Sequence, residues 1–146
     1  EREEYMSIIK ENHLAPYVIL HGRQAGQMLD LLFELCDFGI GSLGRHRSGI
    51  TNIKTLKNRE YAARGIPFIY SEIDEDFENM PYIMKIPANE EAVDIKQILN
   101  FYNQLHITPL EIRNSIRHLS WNNQMKKVLD EMQKKDKINP NNNNIG

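Results

Sequence analysis

Cysteine is nearly missing from this sequence. Cys36 stands alone, so no intrachain disulfide can staple the fold, and a reducing compartment is implied. Its place in an apolar run beside Phe33 and Leu35 predicts a core position. Long apolar runs are missing too: none approaches the roughly 20 residues of a membrane span. No secretory signal pattern opens the sequence. The expectation is a cytoplasmic chain, with any peripheral membrane contact left to a fuller protein. An excess of basic charge is also lacking. Lys and Arg number 18 against 20 Asp and Glu, a net charge of −2, which excludes a general nucleic-acid binder of the kind that spreads basic charge over a whole face. There are no internal repeats. The acids Asp74, Glu75 and Asp76 are not matched by a second cluster of acids or histidines, so the segment 72–78 is expected to be a solvated turn and no metal is expected.

What is present is a globular composition. Hydrophobic residues make up 40% of the 146, enough for the core of one domain. That domain is expected over residues 1–137, with INPNNNNIG at 138–146 as a low-complexity tail. Tyr5, Ile8 and Ile9 recur at helical spacing before Pro16, and 17–20 (YVIL) reads as a buried strand. Gly22 and Gly26 bracket a turn ahead of a helix marked by Met28, Leu31, Leu32 and Leu35. Strands follow at 38–43, 66–70 and 82–86. Between the first two, a helix is capped by Asn52 or Thr55 and stopped by Gly65 and Pro67. A helix opens at Asn89 and carries Val93, Ile98, Leu99, Tyr102 and Leu105. Thr108, Pro109 and Glu111 form a capping box with proline at the first helical position. Ser120 caps a last helix whose stripe of Trp121, Met125, Val128, Leu129 and Met132 predicts core packing. Alternation of this kind predicts a parallel sheet covered by helices on both faces, a Rossmann-like α/β fold lacking its first strand.

Function is expected in 38–70, where strand, glycine-rich basic loop, short helix and strand succeed one another. Residues 45–60 hold Arg45, Arg47, Lys54, Lys57 and Arg59 against Glu60 alone, a local balance of +4. In parallel sheets ligands bind where strands end at their carboxyl side. Free backbone N–H groups and the helix dipole add there to side-chain charge, which predicts a phosphate-bearing ligand.

These residues resemble the C-terminal, donor-binding domain of two-domain (GT-B) glycosyltransferases of the group 1 type, over a run from Tyr17 through Trp121. The matching pieces are YVILHG, DFGIGSLG, TLKNREYAARGIPFI and LSW, with Lys57, Arg59, Glu60, Tyr61, Gly65 and Pro67 as the most specific. The resemblance implies one half of a GT-B fold that binds a nucleotide sugar and passes its sugar, without a metal, to an acceptor glycan or lipid held by an N-terminal domain. It assigns Glu60 to the ribose hydroxyls. The helix start at Thr55 and Leu56, with Lys57, would face the diphosphate, and Gly44, Arg45, His46 and Arg47 would lie in the loop next to sugar or phosphate. Many relatives carry a glutamate eight positions before the ribose-binding one; here that position is Asn52, which can hydrogen-bond a sugar hydroxyl but bears no charge. An arginine and lysine pair that holds the diphosphate in the family belongs to a segment ahead of Glu1. Two other readings stand beside this one: a non-catalytic nucleotide or polyanion-binding module, and an interaction domain whose basic loop docks an acidic partner. For Glu60 alone, an ion pair with Arg64 or Lys57 along the helix is the plainer role.

Overall fold

The computed structural model describes residues 2–138. The chain divides into two compact units, 1–35 and 36–146, where one domain over 1–137 is expected from the sequence. The first unit holds α1 (Arg2–Glu11) and α2 (Gly26–Glu34). Gly22 and Gly26 both take positive φ, 69° and 57°, as their role at a turn requires. The strand expected at 17–20 is not formed. Tyr17 and Val18 donate their N–H groups to the Leu14 carbonyl in a turn, at 2.9 and 3.0 Å, and Tyr17 is 83% exposed. A strand needs a partner for its backbone groups, and among the described residues none pairs here.

The second unit is mixed α/β. Strands β1 (Gly39–Ile40), β2 (Phe68–Tyr70) and β3 (Ile83–Lys85) form a parallel sheet in that order, with Gly39 opposite Phe68 and Phe68 opposite Ile83. Helices α3 (Leu56–Arg64), α4 (Ile95–Asn103), α5 (Pro109–Ser115) and α6 (Trp121–Ile138) complete it, with short 3-10 turns at Arg45–Ser48 and Arg117–Leu119. All three residues of β2 are buried; since successive side chains point to opposite faces, both faces of the sheet are covered there. Phe68 lies at the centre of an aromatic cluster, with ring centroids 5.6 Å from Tyr61, 5.9 Å from Tyr70 and 5.5 Å from Phe77. Tyr82 closes the cluster, and because the Ser115 hydroxyl donates to the Ile112 carbonyl, the Tyr82 hydroxyl must donate to Ser115 Oγ at 2.8 Å.

Two glycines thin β1 so that α3 can come close. A Cβ on Gly39 would meet the Tyr61 ring at 2.8 Å, and one on Gly41 would meet Asn58 Oδ1 and the Ile69 carbonyl at 2.8 Å. The close neighbour permitted by these glycines is therefore a helix. Thr55 caps α3 by accepting from the Asn58 N–H, and Gly65 ends it at φ 77°. Gly65 is needed twice over, because a Cβ there would sit 2.5 Å from the Pro109 carbonyl oxygen at the start of α5. The capping box of Thr108 and Glu111 forms in full.

Several expectations are overturned. Cys36 is exposed. The first strand shrinks from 38–43 to two residues, though Gly41 still donates to the Ile69 carbonyl at 2.7 Å. Helix α4 starts at Ile95, capped by Asp94, because Asn89 closes a local turn with the Glu91 N–H and side chains of this kind compete with helix hydrogen bonds. The α6 stripe is exposed, from 48% at Met125 to 83% at Trp121. Most important, the acidic segment is not a solvated turn: Asp74 is wholly buried and Glu72 is 2% exposed. The tail beyond Ile138 lies outside the described residues.

Asp74 receives both terminal nitrogens of Arg59 at 3.2 Å and Asn58 Nδ2 at 3.1 Å. Removing one partner from a buried pair strands the other charge, so Asp74→Ala is expected to destabilise the fold by about 3 kcal/mol. Glu75→Gln, at an exposed pair 3.6 Å from Lys54, is expected to stay within about 0.5 kcal/mol of the parent. Urea melts of both variants check this, and a harmless Asp74→Ala would refute the role of the pair.

Candidate functional site

The basic loop is an excursion from the sheet. It leaves after Ser42, whose carbonyl accepts from the Ser71 N–H at 3.0 Å, and returns where Ile53 donates to the Ile73 carbonyl and Ile73 to the Thr51 carbonyl, both at 2.8 Å. Asn52 sits at this return, in a bridge with Ile73, and its amide donates to Thr51 Oγ1 at 3.2 Å. The excursion brings the loop against acids of the same chain. The Arg45 N–H donates to Glu72 Oε1 at 2.7 Å. Glu90 receives His46 Nε2 and Arg47 Nε, each at 2.9 Å, and a second Arg47 nitrogen. Arg59 is held by Asp74 and Asp76, with its guanidinium 5.4 Å from the centre of the Phe77 ring. Lys54 pairs with Glu75. Of the five cations that produce the local +4, only the side chains of Arg45 and Lys57 have no ion-pair partner among the described residues. Three buried polar atoms here also lack a hydrogen-bond partner among the described residues: His46 Nδ1, Asn58 Oδ1 and Glu72 Oε2.

A further network backs the acidic segment. Glu78 accepts from the Tyr70 hydroxyl at 2.8 Å, Lys85 Nζ at 2.9 Å and the Asp74 N–H at 3.1 Å. Burial works against the carboxylate, but these donors outweigh it and hold Glu78 below its ordinary range. The same arrangement pushes the Tyr70 phenol up, through burial first and its hydrogen bond to Glu78 second.

The other face of α3 opens on a groove of about 670 Å³. Leu56, Glu60 and Ala63, spaced i, i+4 and i+7, share one helix face and form one wall with Arg59; Arg113, Ile116, Arg117, Leu119, Ser120, Trp121 and Gln124 form the opposite side. Glu60 is half-exposed, and its Oε1 accepts from Arg64 Nε at 2.7 Å, the helix ion pair that is its plainer role. Its Oε2 has no partner among the described residues. Arg113 and Arg117 have no ion-pair partner among them either.

The predicted site residues thus divide. Leu56 and Glu60 share the groove. His46 and Arg47 are gathered on Glu90, and Asn52 lies with Lys54 at a small surface cleft lined also by Glu75. Gly44, Thr55 and Lys57 keep their places on the loop and helix start, where the Leu56 and Lys57 N–H groups fall in the first turn and have no partner within the helix. Sequence reasoning missed Arg113, Arg117 and the exposure of Trp121. No local signal marks them: Arg113 belongs to α5, Arg117 to a 3-10 turn and Trp121 to α6, and only the meeting of these elements puts all three on one groove. No group of three or more His, Cys, Asp or Glu is placed to hold a metal among the described residues, and no helix among them is long and apolar enough to cross a membrane. Compared with protein-family models, curated proteins and solved structures, the chain matches none.

The Arg47 and His46 hydrogen bonds lower Glu90 from its ordinary 4.5 to about 2. A depressed folded value means that Glu90 stabilises the folded loop fully above pH 4.5 and that this contribution fades as pH falls toward about 2. Carboxyl-carbon NMR titration should place the Glu90 midpoint near the lower value. A midpoint in the free-glutamate range would show that the loop is not tied in solution.

Proposed function

We propose that this chain is the donor-binding domain of a glycosyltransferase, a Rossmann-like half of a GT-B fold that holds the nucleotide end of a nucleotide sugar. The observation that carries the proposal is the position of Glu60: half-exposed on a groove wall, tied to Arg64 by one oxygen, with the other available to a ligand hydroxyl. A carboxylate can accept from two adjacent hydroxyls, the demand that a ribose makes. The parallel passage from β1 through α3 to β2 supports the fold assignment, since such units present ligands with loops at strand ends. At the helix start, the backbone N–H groups of Leu56 and Lys57, together with the Lys57 ammonium, suit a leaving diphosphate. Asn52 would contribute a hydrogen bond to sugar but no charge. The reading calls for no metal, and it leaves acceptor binding, and with it turnover, to another domain of a cytoplasmic enzyme.

Asn52, uncharged where many members of the resembled family carry a glutamate, favours a second reading, a non-catalytic nucleotide or polyanion-binding module. Donor-dependent transfer or hydrolysis by the full-length protein separates the two.

Hydrogen bonds to a charged group contribute roughly 1.5–3 kcal/mol, so Glu60→Gln in the full-length protein is expected to weaken donor binding about ten- to a hundredfold. Unfolding should barely change, because an exposed helix pair contributes only about 0.3–0.5 kcal/mol. Titration calorimetry beside denaturant melts reads both quantities. Unchanged donor affinity would end the ribose assignment.

A further inference from the structure

The groove beside α3 has a composition of its own. Arg59 is spent on Asp74 and Asp76, and Glu60 is balanced by Arg64, so the charge left to meet a ligand comes from Arg113 and Arg117. A guanidinium presents a planar fork of donors that suits phosphate oxygens. Between these charges the lining is largely apolar, from Leu56, Ile116, Leu119 and Trp121. Trp121 is 83% exposed, which leaves its ring open to stacking. The volume of about 670 Å³ falls within the range of small-molecule sites rather than of extended polymer clefts. A ligand that matches these walls has a flat ring at one part, hydroxyls for Glu60 and a compact negative group.

We propose that this groove seats a nucleoside diphosphate, with its base stacked on Trp121, its ribose hydroxyls on Glu60 and its phosphates on Arg113 and Arg117. The assignment rests on the donor reading, but places the phosphates on the side of the groove opposite α3 instead of on the start of α3 and the basic loop, whose charges are mostly engaged by internal acids. It makes Trp121 the largest apolar contact of the ligand.

Trp121 is the only tryptophan in the chain, so its fluorescence reports this groove alone. The experiment titrates the chain with uridine, guanosine, adenosine and thymidine diphosphates, with inorganic pyrophosphate and with a glutamate-rich peptide, following tryptophan emission and binding heat in parallel. One or more nucleoside diphosphates should quench the emission at the concentrations that produce heat. Pyrophosphate should bind more weakly and leave the emission unchanged. Arg113→Gln and Arg117→Gln should each weaken nucleotide binding roughly tenfold, and Trp121→Leu should weaken it by a similar factor; melts of each variant establish that the fold is kept. Nucleotide binding heat without quenching, and unaffected by the arginine variants, would overturn the groove assignment while leaving the donor reading in place. No nucleotide binding by either readout would overturn the assignment and count against the donor reading as well. Quenching by the acidic peptide alone would overturn it in favour of a protein partner.

Discussion

The pairing of Arg59 with Asp74 governs the second unit. It joins α3 to the crossover between β2 and β3 through a carboxylate that is wholly buried. Taking such a charge out of water costs several kcal/mol unless its lone pairs are filled. Here two guanidinium nitrogens and the Asn58 amide fill them. The pair therefore fixes where α3 lies more than it adds to stability. Asn58 is drawn over Gly41, Tyr61 over Gly39, and the aromatic cluster closes beneath. The groove face of the helix, with Leu56 and Glu60, points away from the sheet because Asn58 and Ala62 point toward it.

Much of this was legible in the sequence where the controlling interaction is local. Thr55 and Gly65 bound α3 through a side-chain cap and a left-handed glycine, and Thr108 and Glu111 satisfy one another three residues apart. The order of strands and helices from 38 onward also held. What escaped was non-local. Asp74 reads as solvated until Arg59 is placed against it, and Glu90 reads as the charged start of a helix until Arg47 and His46 claim it. Residues 17–20 carry strand-forming side chains, but no sequence pattern supplies the neighbouring strand they would need. The stripe on α6 has the spacing of a packed helix face, and spacing alone does not say what it packs against.

The candidate site is better described as two surfaces that share α3. At its first turn lie backbone donors, Lys57 and a loop whose His46, Arg47 and Lys54 are engaged by Glu90 and Glu75. Along its flank lie a half-exposed carboxylate, an exposed aromatic ring and two guanidinium groups with no ion-pair partner among the described residues. A charge count over 45–60 points to the first surface, whereas the distribution of ion pairs leaves more unspent chemistry on the second.

The acids that quiet the basic loop are covalently part of the chain, and this turns affinity into a competition. Tethered groups act at effective concentrations on the order of millimolar, and Glu72 and Glu90 are present at the loop whatever the solution contains. A simple anion in solution must displace them one for one and gains little by doing so. Only a ligand that makes several contacts at once can outbid a resident carboxylate. A small inorganic anion therefore meets a loop whose His46, Arg47 and Lys54 already carry partners from the same chain.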